Sequence, residues 1–120
     1  MSQLNGLTLA YLGDAVYELE VRNYLIQQGY TKVDSLHQMT VSYTNAEGQA
    51  NAYRKIESVL TEEELTFYKR GRNAKSDRKA RSASITEYRQ ATGLESLFGA
   101  LHLADNKDRI QELIHIILTT

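Results

Sequence analysis

Cysteine and proline are both missing from this chain, and glycine occurs only seven times. The first absence excludes a disulfide scaffold, a thiolate zinc site and a cysteine nucleophile together. The second, with so little glycine, excludes collagen-like, Pro-rich and Gly/Ser-linker readings and leaves almost nothing to interrupt helices. No stretch approaches the ~18–20 uninterrupted apolar residues of a membrane helix. The opening MSQLNGLTLA also lacks the basic stretch and long apolar run of a signal peptide. The chain therefore reads as a soluble, cytoplasmic protein with no membrane association. Its 120 residues suffice for one packed core and fall short of two ordinary domains, so residues 1–120 are expected to form a single compact all-α domain.

A net charge of −1 conceals an uneven distribution. Lys69, Arg70, Arg72, Lys75, Arg78, Lys79 and Arg81 fall within thirteen positions against one acid, Asp77, a local charge of +6 that leaves −7 on the rest of the chain. A basic segment on an acidic body can bind phosphate, and it can equally be a solvated loop.

Hydrophobic spacing predicts the helices. From Leu7 to Gln28, Leu9, Leu12, Val16 and Leu19 recur at threes and fours, and Gly29 suits the position just past a helix end. A short helix capped by Asp34 would carry Leu36, His37 and Met39. Tyr43 to Leu60 reads as one helix with Thr44 and Glu47 at capping-box spacing and Ala46, Ala50, Tyr53 and Ile56 as its packed stripe. Thr61 with Glu64, and Ser84 with Glu87, repeat that spacing before helices ending near Arg70 and Leu103. Residues 71–83 lack apolar periodicity and read as an exposed loop. Asp105 is the expected cap of a last helix bearing Ile110, Leu113, Ile114, Ile117 and Leu118. Tyr11, Tyr17 and Tyr88 are expected in the core, and His37 and His102 read as structural or hydrogen-bonding residues rather than metal ligands.

Two acids sit where a core pattern would not place them, Asp14 in LAYLGDAVYEL and Glu95 in ATGLESLFGALHL. Each lies on a largely apolar stripe, and a carboxylate removed from water needs a hydrogen bond, a cation, a proton or a metal. Each also has a glycine close by, Gly13 and Gly99, although glycine inside a helix costs about 1 kcal/mol relative to alanine. Two helices crossing at those glycines would bring carboxylate oxygens together, a donor set suited to Mg²⁺ or Mn²⁺ rather than zinc. Spacing alone leaves open that the acids are unrelated, one paired with an arginine such as Arg22 and the other at a helix edge.

Leu12-Gly13-Asp14-Ala15-Val16, with Glu18 just beyond, resembles the signature segment of ribonuclease III catalytic domains, and Glu95-Ser-Leu-Phe-Gly-Ala-Leu-His-Leu resembles their second acidic motif. The similarity is greatest to the short, catalytic-domain-only branch, Mini-ribonuclease III. Leu36-His37, Gln49-Ala50, Arg70-Gly71-Arg72-Asn73-Ala74-Lys75-Ser76 and Tyr88-Arg89 stand in the order that branch has them, so the resemblance spans nearly the whole chain. It implies a ribonuclease III-like fold and a metal-dependent endoribonuclease that cleaves double-stranded RNA, leaving 5′-phosphates. Asp14 and Glu95 would be catalytic and would bind Mg²⁺, with Mn²⁺ as substitute, supported by Glu18 holding a metal-bound water or orienting Arg22. A surface salt bridge is the competing role for Glu18.

The resemblance further implies that Arg70, Arg72, Asn73, Lys75, Ser76, Arg78, Lys79 and Arg81 contact RNA, and that the protein is a homodimer joined through its first helix. It implies maturation of a 23S ribosomal RNA precursor, stimulated by ribosomal protein L3, and no separate double-stranded-RNA-binding domain. Two further acids of full-length ribonuclease III correspond to Ala10 and Thr92 here, as in the short branch. Glu47 replaces a usual lysine, and the stretch from Asp77 to Ser84 lacks the family's Pro-Lys-Asn. The alternative is a non-catalytic RNA-binding adaptor with the same fold.

Overall fold

A computed structural model describes residues 3–75 and 84–120. Six helices, with no strand among the described residues, follow in order: α1 (Gly6–Gln27), α2 (Val33–Thr44), α3 (Ala46–Ile56), α4 (Glu62–Arg72), α5 (Ile85–Leu103) and α6 (Lys107–Thr119), with a short 3₁₀ turn over Glu57–Val59. The all-α expectation therefore holds. The axis of the fold is α5, which packs against α1, α3, α4 and α6. Its consecutive buried residues from Ala91 to Leu94 and Ser96 to Leu101 leave no polar face over that stretch, as a helix enclosed by others requires. Tyr17, Ile56, Tyr68, Leu94, Leu97, Phe98, Leu113 and Ile117 form the wholly enclosed centre.

Helix starts follow local side chains. Two of the three predicted capping boxes are present: Thr61 with Glu64 opens α4, and Ser84 with Glu87 opens α5. Glu64 also accepts from Arg109 Nε (2.8 Å) and Nη2 (2.9 Å), which clamps α4 to α6 through a largely buried ion pair. Gly29, at φ +98, ends the α1 turn as expected.

Other expectations are corrected. Asp34 lies in the first turn of α2, where its charge meets the helix dipole, while Lys32 takes the cap position. The stretch from Tyr43 is split in two, because Asn45 is extended and its own side chain accepts from Gly48 N at 2.7 Å, so Asn45 and not Thr44 caps α3. Helix α4 runs on to Arg72. Asn106 caps α6, and Asp105 instead makes the preceding turn at φ +54. On α1, Tyr17 and Val21 take the inward positions and Leu19 points outward. Tyr11 is 85% exposed, whereas Tyr17 is buried and donates its hydroxyl to the Tyr43 carbonyl (3.1 Å).

Helices α1 and α5 meet backbone to backbone. A Cβ placed on Gly13 would lie 1.6 Å from the Glu95 carbonyl oxygen, and one on Gly99 would lie 2.0 Å from that of Leu9. No side-chain rearrangement relieves a collision with main chain. Helix propensity alone would make Gly13→Ala stabilising by about 1 kcal/mol. The clash reverses the sign, and we expect a loss of roughly 3 kcal/mol or more in urea unfolding. A Gly13→Ala protein as stable as the parent would contradict this contact.

Candidate metal-binding carboxylate site

The glycine contact sets the site, since each glycine neighbours an acid on its own helix. Asp14 follows Gly13 on α1 and is exposed; Glu95 precedes Gly99 by one turn on α5 and is half-buried. The structure brings the two carboxylates together. Burial, the charge of Asp14 and a hydrogen bond with it push the Glu95 carboxyl up to about 8, against a smaller lowering by the hydrogen bond from Gln49. Two carboxyls in such proximity hold a proton between them or attract a cation.

Gln49, on the first turn of α3, is buried at 2% exposure, and its Nε2 donates to Glu95 Oε2 (3.3 Å) and to the Thr44 carbonyl (3.1 Å). Sequence reasoning did not give Gln49 a role. The available signal was a glutamine on an otherwise apolar stripe with Ala50, Tyr53 and Ile56. Arg22 pairs with Glu18 (2.9 Å) on the helix surface, so it is not the partner of Asp14; the pair fits both the orienting and the salt-bridge role expected of Glu18.

Ala10 is buried, and the buried Thr92 returns its hydroxyl to the Tyr88 carbonyl at 3.0 Å. Neither offers a free donor to the site. Among the described residues no three His, Cys, Asp or Glu side chains gather to hold a metal. The two carboxylates nonetheless fit a hard divalent cation that keeps part of its water shell, and such a cation would relieve the repulsion that raises Glu95. His37 and His102 are exposed, on α2 and α5.

The basic residues divide. Arg70 Nη1 donates to the Leu4 carbonyl (2.9 Å), and its guanidinium lies 4.9 Å from the Phe67 ring centre, so it ties α4 to the N-terminal segment. Arg72 Nε donates to Asn73 Oδ1 (3.1 Å) at the rim of a cavity of about 350 Å³ that Thr86, Arg89 and Gln90 also line. Lys75 is exposed. Ser76, Arg78, Lys79 and Arg81 lie outside the described residues. Two cations outside the basic run share this end of the molecule: Arg89, and Arg54, whose guanidinium donates to Gln90 Oε1 (3.2 Å) and to Asn51. Gln49 meets Glu95 and Arg54 meets Gln90, five residues on along α3 and five back along α5, so the two helices run antiparallel. Arg54 is consequently displaced from the carboxylates by about 7.5 Å of helix rise.

Residues 7–106 match the Ribonuclease III domain family. The chain belongs to the ribonuclease III family. It is 52% identical over 115 residues to the Mini-ribonuclease 3 of Enterococcus faecalis, covering 94% of this chain and 87% of that protein. The Streptococcus pneumoniae Mini-ribonuclease 3 is 44% identical over 113 residues, 92% of this chain and 88% of that one. A crystal structure of a Fusobacterium nucleatum protein superposes with a TM-score of 0.86 at 38% identity, over 98% of this chain and 93% of the other. Ribonuclease III family membership supports the endoribonuclease expectation and the fold expected from the motifs around Asp14 and Glu95. No helix among the described residues is long and apolar enough to cross a membrane.

The raised Glu95 carboxyl has a sign. In metal-free protein the folded state keeps this proton to about pH 8, while the unfolded chain releases it near the ordinary carboxyl value of 4.5. Folded protein thus binds more protons between those values, so the contribution to stability is present below the lower pKa and is lost as pH rises through the upper one. Glu95→Gln should remove that loss, making the variant more stable than the parent at pH 8, on the order of 1–3 kcal/mol, with little difference near pH 4.5. Urea unfolding in chelator at the two pH values reads it; parallel pH profiles would count against it.

Proposed function

We propose that this ribonuclease III family protein is a metal-dependent endoribonuclease of double-stranded RNA, with Asp14 and Glu95 as its catalytic, metal-binding carboxylates. The observation that carries the reading is the meeting of those two acids across the α1–α5 crossing, with Gln49 as the donor to Glu95. Mg²⁺, or Mn²⁺ in its place, would supply activation of water and stabilisation of charge on the phosphate when bound by this pair. Asp14, on the exposed side, faces the substrate; Glu95, half-buried, is held against the protein. No side chain is required as nucleophile.

RNA would approach across the α3–α5 end, where Arg54, Arg89, Arg72, Asn73 and Lys75 present donors to phosphates and the basic run continues in sequence through Ser76, Arg78, Lys79 and Arg81. A duplex of A-form RNA is read there by shape and backbone. The resemblance to Mini-ribonuclease III carries the finer proposal of a cytoplasmic enzyme acting on a base-paired 23S ribosomal RNA precursor, with ribosomal protein L3 as partner.

Magnesium-dependent cleavage of a base-paired RNA tests the reading. Asp14→Asn and Glu95→Gln should each lower the rate about 100-fold or more, equivalent to roughly 3 kcal/mol of transition-state stabilisation. Neutralising Arg54, Lys75 and Arg89 together should instead weaken binding and reduce the salt slope by about 2–3. Binding without cutting by the parent protein would favour the adaptor alternative.

The outer face of α1 supports a homodimer. Leu7, Tyr11, Leu19 and Ile26 are 40%, 85%, 57% and 57% exposed, more apolar surface than a solvent-facing helix needs. Tyr11→Glu should shift the protein from dimer to monomer in sedimentation equilibrium; an unchanged mass would place the interface elsewhere.

A further inference from the structure

We propose that Gln49 is a positioning residue of this site: its amide holds the Glu95 carboxylate toward Asp14 without neutralising it, leaving the charge available to a divalent cation. The inference rests on the reading of Asp14 and Glu95 as a metal-binding pair.

The amide is held from several sides. Thr44 is the last residue of α2, so its carbonyl lacks a helical partner, and Gln49 Nε2 donates to it at 3.1 Å. A carbonyl oxygen only accepts, so the nitrogen end of the amide must face it, and that same nitrogen donates to Glu95 Oε2 at 3.3 Å. One amide nitrogen therefore connects the end of α2 to the acid on α5. The backbone N–H of Gln49 donates to the Asn45 carbonyl (2.9 Å), fixing the start of α3 beneath it. Gly48 lets this turn lie directly on α2, since a Cβ there would fall 2.2 Å from the Ser42 carbonyl oxygen. Because the side chain is 2% exposed, neither end of its amide can swing out to water.

The neutrality of the donor matters as much as its position. A lysine or arginine in this place would also orient Glu95, but its charge would compete with a divalent cation for the same carboxylate. An apolar side chain would leave the orientation to rotamer preference alone. Glutamine supplies direction and no charge. Groups that orient a metal ligand in this way typically influence metal affinity by about 10–100-fold.

The test is Mn²⁺ binding to the full chain without RNA, read from the electron paramagnetic resonance signal of free Mn²⁺, alongside cleavage kinetics. Gln49→Met keeps the volume and removes both donor hydrogens. It should bind Mn²⁺ about tenfold or more weakly. Its kcat on duplex RNA should fall at limiting Mg²⁺ and recover as Mg²⁺ is raised, with KM for RNA unchanged. Gln49→Lys should bind Mn²⁺ more weakly still, although it retains a donor. Mn²⁺ affinity in Gln49→Met equal to that of the parent overturns the proposal, as does a lowered kcat that added Mg²⁺ leaves untouched. If Gln49→Met fails to fold, Gln49→Asn, whose shorter amide cannot span Thr44 and Glu95, takes its place under the same criteria. A parent protein that binds no more Mn²⁺ than Asp14→Asn overturns the underlying reading of the carboxylate pair, and the inference with it.

Discussion

The contact between α1 and α5 at Gly13 and Gly99 is the constraint on which the rest of this structure depends. With main chain packed against main chain, the two helices approach more closely than any side chain at either position would permit. That approach encloses Tyr17, Leu94 and Phe98 and brings together two acids that lie far apart in sequence. The same two glycines set both the packing and the proposed site, since helices held apart by even one methyl group would also separate the carboxylates.

The site is built against stability. Burial and a neighbouring carboxylate both disfavour ionised Glu95, and the surrounding protein answers with an amide instead of a cation. Elsewhere the fold treats a buried acid differently. Glu64 receives two hydrogen bonds from Arg109 as well as the capping N–H of Thr61, so its charge is matched and serves to cap α4 and to join it to α6. The contrast between a matched acid and an unmatched one is what distinguishes Glu95 from Glu64, and it supports the proposed carboxylate pair more than burial alone does.

Much of this was legible in the residues. Asp14 and Glu95 stood out because each broke an apolar stripe beside a glycine, two local anomalies with one geometric explanation. The capping boxes of α4 and α5 were readable because the two partners are three residues apart in sequence. What local reading misjudged were choices between adjacent candidates: Asn45 over Thr44 and Asn106 over Asp105, where the backbone conformation decides which side chain reaches the free N–H groups. Leu19 and Tyr11 fitted a helical stripe equally well facing inward or outward, because periodicity gives the angle between residues and not the direction of the core.

Sequence by itself determined the helical class, one core's worth of chain, the concentration of positive charge and the two anomalous acids, since these follow from composition and from spacings within a few turns. Tertiary structure alone decided that Gln49 reaches Glu95, that Arg54 and Arg89 share the basic end, and that Arg70 is committed to the N-terminal segment. Those pairings depend on how helices cross, and each joins residues on different elements. A crossing is fixed by which small residues let two backbones touch, a property of both partners that neither segment displays alone.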